Sequence, residues 1–273
     1  RRLYRAEDVA RLEHRKARGR KPAAIAEDAI AFGEPILASG IATIQRGKLW
    51  YRGQDAEVLA ETAKLEDVAR LLWDCGSQRF PPLFTIVPEA PPRQRMFAVI
   101  AARAASDPAM AGRTKKALYL EAASVIDSLV DAIAGRPGQG PIHHRLAQAW
   151  GCDERGADLI RRALVLLADH ELNASTFAVR VAASTRASLA ASILAGLATL
   201  SGPLHGGMTP RVLGLMREIA SEGVEMAVSA RLATGMPLPG FGHPLYPDGD
   251  ARARALLTAF TLPPAYEETR RAV

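Results

Sequence analysis

The sequence predicts an all-α globular protein with one small β-hairpin. Aromatic residues make up only 5% of the 273 residues, while hydrophobic residues make up 48% and charged residues 23%. Alanine and leucine recur throughout, which favours close-packed helices over sheets built from aromatic and β-branched residues. A chain of this length can bury a large core in one large domain, or in a large domain and a smaller one.

Apolar periodicity and helix breakers place the elements along the chain. Helices are predicted at 4–16 and 22–32, and two extended runs, 41–44 and 48–51, predict the hairpin. One or two helices follow over 55–75. The proline-rich stretch 81–92 predicts a surface connection, after which helices resume at about residue 94. Further helices are predicted at 115–134, 141–150, 156–169, 174–184, 187–200, 209–222, 223–234, 250–260 and 263–272.

The net charge of +6 is concentrated at the N-terminus. Residues 1–21 hold nine basic and three acidic side chains, which accounts for the excess of the whole chain. A solvated basic helix and a DNA-contacting arm both fit this segment. Any contact with nucleic acid is therefore predicted for the N-terminal arm alone.

Cysteine usage and hydropathy indicate a cytoplasmic protein. The only two cysteines, Cys75 and Cys152, lie in no CxxC pair and far from the histidine-bearing loops described below, so neither a disulfide framework nor a zinc site is predicted. No secretory signal is visible. The longest apolar runs are too short or too interrupted to span a bilayer, and no membrane contact is expected.

Two histidines lie in loops rich in glycine and proline. His205 stands in residues 201–207, and His243 stands in residues 239–246. Glycine lets a backbone approach a ligand closely or take positive φ, which favours a binding role for such loops. A turn residue or a helix cap is the alternative for either loop taken alone.

Two further side chains are candidates for binding. His170 follows the apolar run 164–167 and begins a polar cluster, a position from which a rigid helix can present a binding group. Capping of the next helix, by Asn173 or Ser175, is the alternative and is compatible with that role. Arg252 begins a predicted helix nine residues after His243, where a guanidinium can bind a carboxylate in bidentate fashion, although a solvated arginine is also common.

Several reaction classes find no support in the sequence. HExxH, GxSxG, the P-loop and GxGxxG after a strand are all absent, and His143 and His144 lack ligand spacing to the other histidines. No metal site is therefore predicted. The candidates that remain indicate acid and base chemistry on a small anionic substrate that carries carbonyl groups.

Four motifs, in order along the chain, resemble those of citrate synthases. They are Gly40-Ile-Ala-Thr-Ile with Leu49-Trp-Tyr-Arg-Gly-Gln-Asp55, Asp169-His-Glu-Leu-Asn-Ala-Ser-Thr-Phe177, Gly202-Pro-Leu-His-Gly-Gly207 and Gly240-Phe-Gly-His243. The resemblance covers nearly the whole chain. It implies a mostly helical homodimer that condenses acetyl-CoA with oxaloacetate to give citrate and CoA, a reaction of the tricarboxylic acid cycle. It also implies no cofactor, because the CoA thioester is a substrate.

The resemblance assigns a role to each candidate residue. His205 would polarise the thioester carbonyl towards its enol, and His243 would protonate the ketone of the keto acid. His170 and Arg252 would bind the keto acid's oxygen atoms. The loop 237–247 would lie along CoA, with the contacts assigned to Pro239, Gly240, Phe241 and Gly242.

The resemblance also implies a division of the chain. Residues 22–204 would form the large helical domain and residues 205–273 the small one. The basic arm, 1–21, is similar to the tail of a MerR-type helix-turn-helix. The family's catalytic aspartate and further substrate arginines are expected beyond Val273.

Two departures from the family pattern concern the contacts with the CoA phosphates. The chain has Pro244-Leu-Tyr-Pro247 where a basic residue is common shortly after the histidine, and Ala251 stands where proline usually precedes the arginine. The alternative functions are a 2-methylcitrate synthase that uses propionyl-CoA and a non-catalytic transcriptional regulator or metabolite sensor. With the basic arm, the residues after His243 motivate the regulator alternative.

Overall fold

The computed structural model describes residues 40–45, 47–76, 79–80, 85–170, 173–235, 238–242 and 249–261, with Tyr246, Pro264 and Glu267. The predicted basic arm and the helices at 4–16 and 22–32 lie outside the described residues, as does most of the predicted helix at 263–272. His243 also lies outside them.

The described residues form a small antiparallel sheet followed by a succession of helices. The strands are β1 Ala42–Gln45, β2 Lys48–Tyr51 and β3 Gln54–Asp55. The helices are α1 Ala56–Thr62, α2 Leu65–Trp73, α3 Pro92–Ser106, α4 Lys115–Ala134, α5 Ile142–Ala149, α6 Glu154–Leu166, α7 Ala174–Ser184, α8 Leu189–Leu200, α9 Thr209–Glu222, α10 Val224–Ala233 and α11 Ala251–Leu257. A 3₁₀ turn, Gly206–Met208, precedes α9.

The all-α prediction with one hairpin is confirmed. β1 pairs with β2 in antiparallel fashion, with Ala42 opposite Tyr51, and the two-residue strand β3 adds an unpredicted third strand. The helices α4, α7 and α9 have their predicted bounds. The predicted helical stretch 55–75 is two helices, because the chain becomes extended at Ala63 and Lys64.

The sheet and α11 share one apolar core. Leu49, Tyr51, Val68 and Val165 are almost completely buried there, and Ala255 and Leu256 of α11 pack against them. A separate cluster joins α9 to α10 through Leu215, Ile219, Ala227, Val228 and Leu238. Part of the segment 205–273 therefore has its own core, and part packs on the hairpin; the domain division stays a prediction.

The helices α7 and α8 lie close together, and α8 also packs on α3. Gly196 makes the close approach possible, because a Cβ at this position would lie 2.4 Å from the Val179 side chain. The loop that follows α8 therefore starts from a closely packed pair of helices. Among the described residues, no helix is both long and apolar enough to cross a bilayer.

Candidate active site

The loop after α8 folds back tightly and carries His205. The carbonyl oxygen of Gly202 accepts from the backbone N–H groups of His205 and Gly207, each over 3.0 Å. A Cβ at Gly206 would lie 2.7 Å from the Leu200 carbonyl oxygen, and one at Gly207 would lie 2.6 Å from that of Gly202. Glycine is required at both positions because backbone atoms occupy the space of a side chain.

Replacement of Gly207 by alanine is expected to lower the unfolding free energy by about 1–3 kcal/mol, because the loop must open to admit the methyl group. The same change should lower turnover, since the loop positions His205. Gly214→Ala is the matched control: the nearest atom to its Cβ would be 3.9 Å away, and alanine favours the interior of α9. Urea unfolding measures the stability change, and initial rates measure the change in turnover. Equal unfolding free energies and equal rates for the two variants would contradict the prediction.

His205 is linked to the first turn of α7. Its Nε2 lies 3.0 Å from the Ser175 hydroxyl, which lies 2.8 Å from Asn173 Oδ1. Asn173 Oδ1 also accepts from the Thr176 N–H over 2.9 Å, so Asn173 is the N-cap of α7, as one sequence alternative predicted. The one hydroxyl proton of Ser175 is donated to Asn173 Oδ1, so Ser175 Oγ accepts from Nε2–H of His205. If the hydroxyl turned to donate to Nε2 instead, the imidazole proton would lie on Nδ1, where it could be donated to a ligand oxygen.

Burial lowers the pKa of His205 below its ordinary value of 6.5. Between the folded-state pKa and 6.5 the unfolded chain binds more protons, so this histidine should make stability fall as the pH drops below 6.5 and have no effect above it. The His205→Gln variant lacks this contribution. Urea unfolding of the unaltered protein and of the His205→Gln variant at pH 5, 6, 7 and 8 tests this pH dependence. A stability difference between the two proteins that does not change with pH would contradict it.

His170 and Arg252 contact different parts of the same side chain, that of Tyr246. His170 Nε2 lies 3.0 Å from the Tyr246 hydroxyl, and the two rings are 5.5 Å apart. The Arg252 guanidinium carbon lies 5.4 Å from the centre of the same ring, within the range of a cation–π contact. The two predicted keto-acid-binding residues, 82 positions apart in sequence, therefore lie near each other.

Asp250 fixes Arg252 at the start of α11. Its carboxylate accepts from Arg252 Nε over 3.0 Å and from Nη2 over 2.6 Å, and it also caps the helix by accepting from the Arg252 backbone N–H over 2.9 Å. Burial opposes ionisation of Asp250, but the hydrogen bonds and charge of Arg252 hold its pKa below the ordinary value. The ion pair therefore persists at neutral pH.

Tyr51 anchors the connection that carries His170. Its hydroxyl lies 2.9 Å, 3.1 Å and 3.2 Å from the carbonyl oxygens of Val165, Leu166 and Asp169, at the end of α6. The side chain is fully buried, and burial raises the pKa of this phenol well above its ordinary value. The neutral hydroxyl of the hairpin can thus donate its one proton to a carbonyl group at the end of α6, where helical partners run out.

The predicted CoA-contacting residues lie on the α9–α10 side of the molecule. Gly240 and Gly242 have φ values of +85° and +77°, which favour glycine, and a Cβ at Gly240 would lie 3.0 Å from Val212 in α9. Phe241 packs against the α9–α10 cluster, and Pro239 is buried. His243 directly follows this loop but lies outside the described residues, so its predicted role is not tested by the geometry.

The site is organised around the N-terminal end of α7. His170 lies in the connection that enters this helix, and His205 contacts its first turn through Ser175. Ser175, Tyr246 and Asp250 also belong to the site, although the sequence alone does not assign them to it. Each lies within seven residues of a candidate and carries a polar group, but its partner is fixed only by the fold. The described residues contain no cluster of three or more His, Cys, Asp or Glu that could hold a metal ion.

Known proteins of one family are similar to this chain. The family described as "Citrate synthase, C-terminal domain" matches residues 82–269, more than half of the chain. The chain is 42% identical over 100 residues to Citrate synthase 2 of Bacillus subtilis, a match that covers 36% of this chain and 27% of that protein. It is 42% identical over 102 residues to a citrate synthase of Synechocystis, covering 37% of this chain and 26% of the relative. The matched segments thus span about a quarter of the relatives' length.

Solved structures share the fold along most of the chain. Citrate synthase of Thermotoga maritima superposes with a TM-score of 0.68 at 23% identity, over 89% of this chain and 77% of that one. Citrate synthase of Thermoplasma acidophilum, solved as a ternary complex with carboxymethyl coenzyme A and oxaloacetate, gives a TM-score of 0.65 at 24% identity, over 82% and 69%. At these identities the likeness shows the fold. Taken with the family match over residues 82–269, it leads to one conclusion: the chain belongs to the citrate synthase family.

Proposed function

We propose that the protein condenses a short acyl-CoA with oxaloacetate and hydrolyses the resulting thioester, with acetyl-CoA as the donor and citrate and CoA as products. One observation carries the proposal. His205, in a glycine-defined loop, is held by Ser175 at the end of α7 where His170 also lies. This arrangement provides a donor for a thioester oxygen close to groups for a keto acid. The complex formed by the Thermoplasma acidophilum relative contains ligands of the same two chemical classes.

The residues divide the chemistry between the two substrates. The His205 imidazole donates to the thioester carbonyl oxygen while the α-proton leaves for a carboxylate, which the family resemblance expects beyond Val273. The enol carbon attacks the ketone carbon of oxaloacetate, and His243 supplies the proton that turns the ketone oxygen into a hydroxyl. Water then cleaves the thioester and releases the CoA thiol. No metal or other cofactor is proposed for these steps.

The lowered pKa of His205 supports its role, because a neutral imidazole is the species available at pH 7. A neutral donor can stabilise a developing enolate without first having to lose a proton. The Ser175 hydroxyl donates its proton to Asn173 Oδ1 in the structure, and donation by His205 Nδ1 would require that hydroxyl to turn to Nε2. Asn173 Oδ1 would keep the Thr176 N–H as a partner in that arrangement.

The His170–Tyr246–Arg252 cluster supports binding of the keto acid. An arginine and a histidine in proximity can hold the carboxylate and ketone oxygens of a dicarboxylate through charge-assisted hydrogen bonds. Arg252 is partly buried, so its charge is screened less by water than a surface charge would be. The Pro239–Gly242 loop, with its two positive-φ glycines, is proposed to run along CoA.

Release of free thiol from full-length protein, supplied with oxaloacetate and either acetyl-CoA or propionyl-CoA, tests the proposal. Faster release with acetyl-CoA supports a citrate synthase, and faster release with propionyl-CoA supports a 2-methylcitrate synthase. The donors differ by one methylene, which a pocket distinguishes by about 1–3 kcal/mol. A folded protein that releases no thiol above background with either donor would contradict the proposed reaction.

We extend the proposal to a homodimer that pairs through α7 and the end of α8. No residue of α7 is fully buried in the single chain, and the apolar side chains of Val181, Leu200 and Leu204 are exposed there. A second copy would cover this apolar face, which continues up to the His205 loop. Sedimentation equilibrium tests the assembly, and a monomeric mass at micromolar concentration would contradict it.

A further inference from the structure

Tyr246 contacts both proposed keto-acid-binding residues. Its hydroxyl lies 3.0 Å from His170 Nε2, and its ring faces the Arg252 guanidinium at 5.4 Å. The side chain is almost completely buried, so it has little freedom to move. A change in its position would therefore shift the two binding groups together.

Asp250 occupies only one edge of the Arg252 guanidinium. It accepts from Nε and Nη2, which lie on the same side of the group. Within the part of the chain that the structure describes, no group accepts a hydrogen bond from Nη1. The end formed by Nη1 and Nη2 can therefore bind a ligand carboxylate while Asp250 holds the other edge.

The attachment of Asp250 to the helix makes this arrangement rigid. The same carboxylate caps α11 through the Arg252 backbone N–H, so the main chain and the side chain of Arg252 are fixed by one group. The hydrogen bond and charge of Asp250 raise the pKa of Arg252 against the opposing effect of burial. The arginine is therefore charged and oriented before any ligand arrives, which lowers the entropy cost of binding.

We propose that Tyr246 and Asp250 are positioning residues, which hold the His170 ring and the free end of Arg252 in one arrangement for a dicarboxylate keto acid. The proposal rests on the proposed function, in which His170 and Arg252 bind that substrate. Neither residue is proposed to contact the reacting carbon atoms. Their effect is on the affinity for one of the two substrates.

Two conservative variants of the full-length protein test the role. Tyr246→Phe keeps the ring beneath Arg252 and removes the hydroxyl at His170, and we expect the Kd for oxaloacetate to rise about three- to tenfold. Asp250→Asn keeps an oxygen to cap α11 but removes the charge and one acceptor. We expect the Kd for oxaloacetate to rise about ten- to a hundredfold in this variant. Calorimetric titration with oxaloacetate measures Kd without turnover. In steady-state assays the KM for oxaloacetate should rise, while the KM for the acyl-CoA stays unchanged.

Tyr119→Phe is the matched control, because Tyr119 stacks on Trp73 in another part of the fold and should leave the Kd unchanged. Unaltered oxaloacetate affinity in both site variants would overturn the positioning role. Tighter binding would also overturn it, by showing that the two side chains compete with the ligand. Equal rises in both KM values together with a lower Tm would indicate a purely structural role. An unaltered protein that binds no oxaloacetate would contradict the proposed function itself, and the positioning role with it.

Discussion

Replacement of His205 by glutamine is expected to lower kcat by about 10²–10³-fold, while oxaloacetate binds with nearly unchanged affinity. The proposed role is donation to an oxygen that becomes negative only as the enolate forms, so the loss falls mainly on the transition state. Leucine, which has no donor, should lower kcat at least as much. The rate of thiol release at saturating substrate measures kcat, and calorimetry measures oxaloacetate binding.

The matched control for this change is His144→Gln. His144 lies on α5 and is about half exposed, with its Nδ1 3.9 Å from Glu154. It belongs to neither side-chain cluster of the candidate site, so its replacement should leave kcat within about twofold of the unaltered value. If His205→Gln weakened oxaloacetate binding as much as it lowered kcat, the assignment of His205 to the acyl donor would be wrong.

The helices were predictable because their signals are local. Thr114 and Gly135 flank α4, where the Thr114 hydroxyl accepts from the Ala117 N–H and Gly135 has a φ of +82°. Such caps end a helix whatever packs against it, so the predicted bounds 115–134 are correct. Strand β3 was missed because two residues carry no periodicity. It forms only because Gln54 and Asp55 are brought beside β2 by the turn at Arg52 and Gly53.

The candidate site was predictable only in part, because local signals mark single residues and not the contacts between them. Glycine-rich motifs mark His205, and a polar cluster after an apolar helix marks His170. The link between His170 and Arg252 runs through Tyr246, whose partners lie 76 positions before it and 6 positions after it. No local pattern encodes such a pairing. Ser175 likewise has an ordinary sequence signal, that of a residue near a helix N-terminus, and its contact with His205 depends on how α8 packs beside α7.

Two buried arginines carry no sequence signal of their own. Charged side chains are usually exposed, yet Arg145 and Arg161 are buried. Arg161 donates to the carbonyl oxygens of Ala60, Glu61 and Ala63 at the end of α1, where it satisfies groups that the helix leaves open. Arg145 has a different environment, because both of its carboxylate partners are buried, whereas Asp158, the carboxylate partner of Arg161, is half-exposed.

Replacement of Arg145 by methionine is expected to lower the unfolding free energy by about 3–5 kcal/mol. The guanidinium on α5 forms ion pairs with Asp127 and Asp131, two carboxylates on α4 that are themselves buried. Methionine would replace much of the volume but would leave both carboxylates without their cation. Urea unfolding at pH 7 measures the loss. Arg162→Met is the matched control, because Arg162 pairs with the half-exposed Asp158 and such pairs contribute about 0–1 kcal/mol.

The pH dependence of the Arg145→Met variant distinguishes an uncompensated charge from simple loss of packing. Burial raises the pKa of Asp131 even though Arg145 opposes the shift, so removal of the arginine should raise it further. A carboxyl group with a folded-state pKa above its unfolded value of about 3.9 binds more protons in the folded state, and its destabilising effect grows as the pH rises. The stability difference from the unaltered protein should therefore shrink between pH 7 and pH 5. A difference that stays constant over this range would assign the loss to packing, and a loss at pH 7 no greater than that of Arg162→Met would contradict the role of Arg145 as the cation for both carboxylates.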